Sequence, residues 1–256
     1  MSNKKRWYIA IALLIYLSFI SFPTYLLTKD LYVLYGVELG LRAAFLVFIV
    51  LFSIFTKMFK TYTGKTKFAN VFLLLPLFFV AFFNLFYLGI VTRSSISNPL
   101  EAVFVPNGNN ALEILKFSTI VVTVVEEELL FRFIIQRNLE IGHKISRIFI
   151  TSLMFTVCHF FTMLYDSQGI LVPIELISLV FVYGIGVILG FLYEYTNNII
   201  VPITFSMIYS ICNGMLYHIS LANAKFDYYI TVACFFAGAA IYLFIFYFLM
   251  LKRENR

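Results

Sequence analysis

Charged side chains cluster at one point of an otherwise apolar segment. Glu126, Glu127, Glu128 and Arg132 stand within seven residues, between two apolar runs. A charge in the middle of a membrane costs at least about 2.5–3.5 kcal/mol on insertion scales, so such residues normally face a protein interior and have a function there. This cluster is therefore the first candidate for a chemical site.

The spacing within the cluster assigns different surroundings to its acids. Glu128 precedes Arg132 by four residues, the favourable orientation for an ion pair within one helix. Glu127 points about 100° away from Glu128, so it remains free while its neighbour is neutralised. Two carboxylates in different surroundings separate in proton affinity, which suits one of them for acid–base work. Glu126 points about a further 100° away and is predicted to be less constrained. A structural ion network that joins helices explains the charges equally well.

Two further segments place polar side chains at membrane depth. His159 lies mid-segment and shares a helical face with Phe155, four residues earlier. A lone His on an apolar helix is usually a core residue, but here a buried Glu needs a polar partner. A later segment carries a polar stripe on one face, which either bonds to neighbouring helices or lines a polar cavity: Ser206, Tyr209, Ser210, Asn213 and Tyr217.

The composition indicates a membrane protein. The 256 residues are 62% hydrophobic and 12% charged, with a mean hydropathy of +0.93, whereas a soluble domain carries about 25% charged residues. We expect one integral membrane domain over 1–256, in contact with lipid. The net charge of +6 does not indicate a nucleic-acid partner, because the basic residues gather at the ends of apolar segments. The three cysteines have neither disulfide nor zinc spacing.

Apolar segments long enough to span a membrane set the predicted architecture. A spanning helix needs about 20 mostly apolar residues, and the candidates are 7–28, 37–56, 70–92, 111–136, 147–165, 171–193, 199–219 and 228–251. With the N-terminus inside, thirteen of the 19 Lys and Arg residues are cytoplasmic and three lie in outer loops. The sequence thus predicts an all-α, polytopic bundle of eight transmembrane helices with both termini cytoplasmic, in the cell membrane.

Three remaining patterns concern helix packing and transport. Glu38 and Arg42 are four apart and are predicted to pair on one helix. The pattern Gly186-x-x-x-Gly190 allows another helix to approach closely, within the bundle or between chains. A secondary transporter with a carboxylate relay is a further interpretation, but no internal repeat supports it.

The cluster and the His segment together resemble a known family. They are similar to the CPBP family of CAAX-processing and bacteriocin-immunity (abortive-infection) intramembrane proteases, whose motifs Glu-Glu-x-x-x-Arg and Phe-x-x-x-His are matched by Glu127, Glu128, Arg132, Phe155 and His159. Residues 190–199 resemble the family's turn between two helices, and Pro202 falls at a family proline. The CPBP-like core covers 110–215.

The resemblance implies a helical core with a conical cavity that opens toward the membrane and the cytosol. It implies that Glu127 is the general base that activates water, and that Glu128 with Arg132 is a structural pair. His159 would bind a divalent metal such as zinc or stabilise the oxyanion, with Glu127 as a second metal ligand.

The third family motif, His-x-x-x-Asn, is not retained. Its positions hold Ser206 and Ser210, and Asn213 lies one turn further along the same face. A catalytic zinc usually has three protein ligands, and a serine hydroxyl is a poor zinc ligand, although it can donate a hydrogen bond to an oxyanion.

Two functions follow from this pattern. The first is an intramembrane metalloendopeptidase, a hydrolase that cleaves a membrane-associated peptide or protein in peptide processing or bacteriocin immunity. The second is a pseudoprotease that binds and regulates a membrane partner. Nothing in the sequence points to prenyl recognition in particular.

Overall fold

Every element that the structure describes is helical. The computed structural model describes residues 3–20, 30–56, 74–75, 110–139, 143–163, 176–220, 233–234, 236–245 and 247–248. The predicted all-α class is confirmed for these residues. The principal helices are α1 (Asn3–Ile20), α2 (Leu31–Phe55), α3 (Asn110–Glu128), α4 (Lys144–Met163), α5 (Leu176–Thr196) and α6 (Ile200–Ser220).

A π-helical segment, Leu129–Gln136, continues α3 without a break and lies at the centre of the bundle. Seven of its eight residues are buried, because α1, α2, α4 and α5 all pack against it. The helix predicted over 111–136 is present as a continuous helix, but the sequence did not predict that its second part would be π-helical. The π-helical segment, whose turns are wider than those of an α-helix, is contacted by other helices on every side. Short π-helical segments are frequent at functional sites.

Within the described ranges, two helices are long and apolar enough to cross a membrane: Tyr32–Phe55 and Ser178–Thr196. Shorter apolar helices cover Trp7–Phe19, Ile200–Ser210 and Phe236–Ile245. All five overlap segments that the sequence predicted to span. Most of the predicted span 70–92 and of the outer loop that follows it lies outside the described residues, so the count of eight spans stays a prediction.

Glycines bring α4 and α5 together. A Cβ atom at Gly190 would lie 2.9 Å from Cγ2 of Ile148, and one at Gly186 would lie 3.1 Å from Cβ of Ser152. Side chains larger than hydrogen would separate the two helices at both points. The predicted role of this glycine pair in close packing is confirmed, and the helix that it admits belongs to the same chain.

The end of the π segment is tied to α5 by polar side chains. Nε2 of Gln136 donates to the carbonyl oxygen of Gly190 at 3.0 Å and to Oε2 of Glu194 at 3.2 Å. Arg147, from the first turn of α4, forms an ion pair with Glu194. These contacts fix the helices at one end of the bundle.

The connection from α5 to α6 is a tight turn. Asn197 has a φ of 47°, the left-handed conformation that commonly ends a helix. Oδ1 of Asn198 then accepts from the backbone N–H of Ile200 at 3.1 Å, which caps the start of α6. The turn expected within residues 190–199 is therefore present, and Pro202 lies in the first turn of α6, where proline is tolerated.

Candidate active site

Glu127 receives two polar side chains from distant parts of the chain. The hydroxyl of Tyr16 donates to its Oε1 at 3.0 Å, and Nε2 of His159 lies 3.5 Å from the same oxygen. Glu127 is 8% exposed. The fold thus brings together the two residues that the sequence analysis selected as base and assistant, and adds a third from α1.

The imidazole of His159 is oriented by its own helix. Its Nδ1 lies 3.0 Å from the carbonyl oxygen of Phe155. A carbonyl oxygen only accepts, so Nδ1 carries the hydrogen and Nε2 faces Glu127. The 3.5 Å between Nε2 and Oε1 exceeds the usual hydrogen-bond range, and catalytic contacts often tighten only when substrate binds. The side chain of His159 is 22% exposed, so it is accessible from outside the core.

Glu128 and Arg132 form the ion pair that their spacing predicted. Nε of Arg132 lies 3.3 Å from Oε2 of Glu128, and the two side chains are 0% and 1% exposed. The Arg132 guanidinium carbon lies 5.5 Å from the centre of the Phe155 ring. Nη1 and Nη2 have no hydrogen-bond partner among the described residues. This pair is closed off from solvent and cannot itself meet a substrate.

Glu126 is more constrained than the sequence predicted. It is fully buried, and one of its oxygens pairs with the guanidinium of Arg42 on α2. A buried charge is costly unless it is paired, and α2 packs along α3, so the cation comes from the neighbouring helix. The prediction of a loosely held third acid is therefore wrong. The predicted pairing of Arg42 with Glu38 gives way to one between helices.

The three consecutive acids therefore have three different partners. Arg42 neutralises Glu126 across a helix interface, and Arg132 neutralises Glu128 within its helix. Glu127 instead faces a hydroxyl and an imidazole. Of the two interpretations left open by the sequence, the structural ion network applies to Glu126 and Glu128, and the acid–base interpretation stays open for Glu127.

The third-motif positions lie on α6, which packs against α3 and α5. Ser206 is buried and Ser210 is half-buried. Neither hydroxyl is hydrogen-bonded to Glu127 in the described structure. The side chain of Asn213 lies outside the described part of the chain.

The donors near Glu127 do not make up the usual zinc site. Within the described ranges there is no group of three or more His, Cys, Asp or Glu side chains that could hold a metal ion. Glu127 and His159 supply two donors, whereas a catalytic zinc usually has three protein ligands. The described residues therefore do not fit a standard zinc site.

Sequence reasoning missed Tyr16 and misassigned Arg42. Tyr16 is one of 17 tyrosines and stands in an apolar run with no motif around it. The requirement that a buried carboxylate find a donor predicts that some such partner exists. It does not say which of the hydroxyls and guanidiniums in the chain will serve.

Comparison with known proteins agrees with the motif-based resemblance. Residues 110–215 match the family model described as type II CAAX prenyl endopeptidase Rce1-like, a CPBP family. The resemblance is therefore confirmed over this segment, and the family is one of membrane-embedded proteases that act on peptide or protein substrates. No curated protein and no solved structure matches the chain. Both α1 and α2 precede the matched segment, although each contributes a partner to its acids.

Proposed function

We propose, from the Rce1-like character of residues 110–215, that this chain is an intramembrane endopeptidase. Its substrate is a membrane-associated peptide or protein, in peptide processing or bacteriocin immunity. The observation that supports this best is the approach of His159 Nε2 to within 3.5 Å of Oε1 of Glu127. Glu127 is also the one acid of the cluster that no guanidinium neutralises in the described structure.

The proposed reaction is hydrolysis with Glu127 as general base. Its carboxylate takes a proton from water while the water oxygen bonds to the carbonyl carbon of the substrate. Nε2 of His159, when protonated, donates to the oxyanion that forms. The carbon–nitrogen bond then breaks, and the proton held by Glu127 passes to the departing amine. The ion pairs of Glu126 and Glu128 hold the helix that carries the base.

The proposed setting is the cell membrane, with eight spans and both termini in the cytoplasm. The two long apolar helices and the three shorter ones support the membrane location, and the distribution of Lys and Arg along the sequence supports the orientation. A divalent metal such as zinc stays part of the proposal for Glu127 and His159. The steps above are written without it, because the described donors fall short of the usual ligand set.

Cleavage in proteoliposomes tests the proposal. Purified protein would be mixed with a library of membrane-anchored peptides, and new termini would be identified by mass spectrometry. Farnesylated and unmodified CAAX peptides in the library would show whether prenyl groups matter. Glu127→Gln should lower the cleavage rate by about 10²–10⁴-fold, because it removes the base while keeping the side-chain shape.

The matched control for that variant is Glu38→Gln, the same change on the neighbouring helix α2. It should cleave at the wild-type rate. If Glu127→Gln also cleaves at the wild-type rate, Glu127 is not the base and the proposed mechanism fails.

A pseudoprotease is the second candidate, favoured by the serines at the third-motif positions. In that case the chain binds and regulates a membrane partner, and no peptide is cleaved. The double change Ser206→His with Ser210→Asn distinguishes the two. Cleavage by this variant but not by wild type would indicate a disabled protease, whereas cleavage by wild type rejects the pseudoprotease.

A further inference from the structure

We infer that Tyr16 is a positioning residue for Glu127, one that leaves a single carboxylate oxygen to accept the proton from water. The inference rests on the proposed peptidase function. It extends the site to α1, a helix outside the Rce1-like segment.

The contact between the two side chains is buried and long-range. Tyr16 is 1% exposed, and its hydroxyl lies 3.0 Å from Oε1 of Glu127, which is 111 positions away in the sequence. A hydrogen bond to an ionised carboxylate is about twice as strong as one between neutral groups. Nε2 of His159 approaches the same oxygen. Both contacts involve Oε1, so we assign Oε2 as the oxygen that accepts the proton from water.

A row of aromatic rings fixes this geometry. The Tyr16 ring meets Phe131 edge to face at 5.6 Å, and Phe131 meets Phe155 in the same way at 5.1 Å. Phe155 then lies 4.2 Å from the His159 ring. Edge-to-face pairs are favourable, and buried rings have little freedom to turn. The row begins and ends at the two groups that face Oε1, so packing sets the separation of hydroxyl and imidazole.

The hydrogen bond from Tyr16 would affect the reaction rate by orienting the general base. A hydrogen bond to Oε1 restricts the rotation of the carboxylate and so favours the orientation in which Oε2 faces the reacting water. Misplacement of a reacting group by about 1 Å can lower a rate about a hundredfold. Loss of the hydroxyl should therefore reduce turnover and leave substrate binding intact.

Turnover by three variants in proteoliposomes tests the inference. Tyr16→Phe removes only the hydroxyl and keeps the ring. We expect kcat to fall about ten- to a hundredfold, with KM within about twofold of wild type and a modest fall in melting temperature, because one hydrogen bond to a buried carboxylate is lost while the ring packing stays. Tyr16→Leu should lose at least as much kcat and also melt at a lower temperature. Tyr8→Phe removes a hydroxyl from the same helix, where the ring packs edge-on against Phe52 at 5.8 Å, and should match wild type.

Two results would overturn the assignment. If Tyr16→Phe keeps the wild-type kcat while Tyr16→Leu does not, the ring matters only for packing. If Tyr16→Phe raises KM and leaves kcat unchanged, the hydroxyl binds substrate instead of orienting the base.

A spectroscopic measurement separates this inference from the peptidase proposal. With 3-fluorotyrosine at position 16, the ¹⁹F resonance should move in Glu127→Gln and stay in place in Glu38→Gln. An unmoved resonance in Glu127→Gln shows that the contact is absent and overturns the inference. Failure of wild type to cleave any peptide overturns the catalytic role together with the peptidase proposal, and the fluorine shift then reports on the contact alone.

Discussion

Removal of one partner from the buried Glu128–Arg132 pair should destabilise the protein far more than removal of both. The two side chains are 1% and 0% exposed, so neither can turn toward water when its partner is lost. The informative variants are Glu128→Leu, Arg132→Met and the double variant that carries both changes. All three keep approximately the volume of the wild-type core.

The structure allows the change in the free energy of unfolding to be estimated for each variant. A broken buried pair costs about 3–5 kcal/mol, whereas its replacement by apolar side chains is often neutral. The Arg132–Glu128 bond is 3.3 Å long, and two terminal nitrogens of Arg132 lack partners in the described structure. The intact pair therefore contributes little, and the double variant should lie within about 1 kcal/mol of wild type. Glu128→Leu should be the worse single change, because a carboxyl group can neutralise itself with a proton and a guanidinium cannot.

Reversible unfolding in mixed micelles measures these differences. The fraction of a denaturing detergent is raised, and loss of structure is followed by circular dichroism. A loss of 3–5 kcal/mol corresponds to about a 10²–10³·⁵-fold change in the unfolding equilibrium. The reasoning is refuted if the double variant is as unstable as the worse single one, or if both single variants lie within about 1 kcal/mol of wild type.

Three further predictions concern the helix contacts and the metal. Arg42→Met should cost about 3–5 kcal/mol in the same unfolding assay, because it leaves the Glu126 carboxylate buried and unpaired; a loss under about 1 kcal/mol would contradict the pairing. Gly190→Ala should cost about 1–3 kcal/mol, because its Cβ would lie 2.9 Å from a carbon of α4. Gly40→Ala, with nothing within 4 Å, is its control and should gain up to about 1 kcal/mol. Elemental analysis of wild type should find about one equivalent of zinc or a similar ion, lost in His159→Ala, if the proposed metal is bound; equal metal content in both would exclude His159 as a ligand.

Features that follow from local spacing were predictable from the sequence. Glu128 and Arg132 are four residues apart, so their ion pair needs only a single helix to form, and the structure contains it. Close packing at the two glycines of α5 could also be predicted, because it did not depend on which helix packs there. The approach of Glu127 to His159 was expected from the family resemblance, because that resemblance assigns both residues to one site.

Features that depend on which helices meet were not predictable. Periodicity shows which face of a helix is polar, but it does not identify the helix that this face meets. The partner of Glu126 is 84 residues away and that of Glu127 is 111 away. The π segment escaped prediction for a related reason, since its burial on all sides depends on four other helices. Arg42 also had an acid four residues before it, which made the local pairing look sufficient.

The acid cluster therefore depends on helices that the family resemblance does not cover. Within residues 110–215, Glu128 finds its own cation, but Glu126 and Glu127 take partners from α2 and α1. Without those helices, Glu126 would be an unpaired charge in an apolar bundle, and Glu127 would keep only the longer contact to His159. A buried carboxylate that lacks its partner is strongly unfavourable. The Rce1-like segment consequently carries the motif residues, while α1 and α2 supply the side chains that allow three adjacent acids to be buried together.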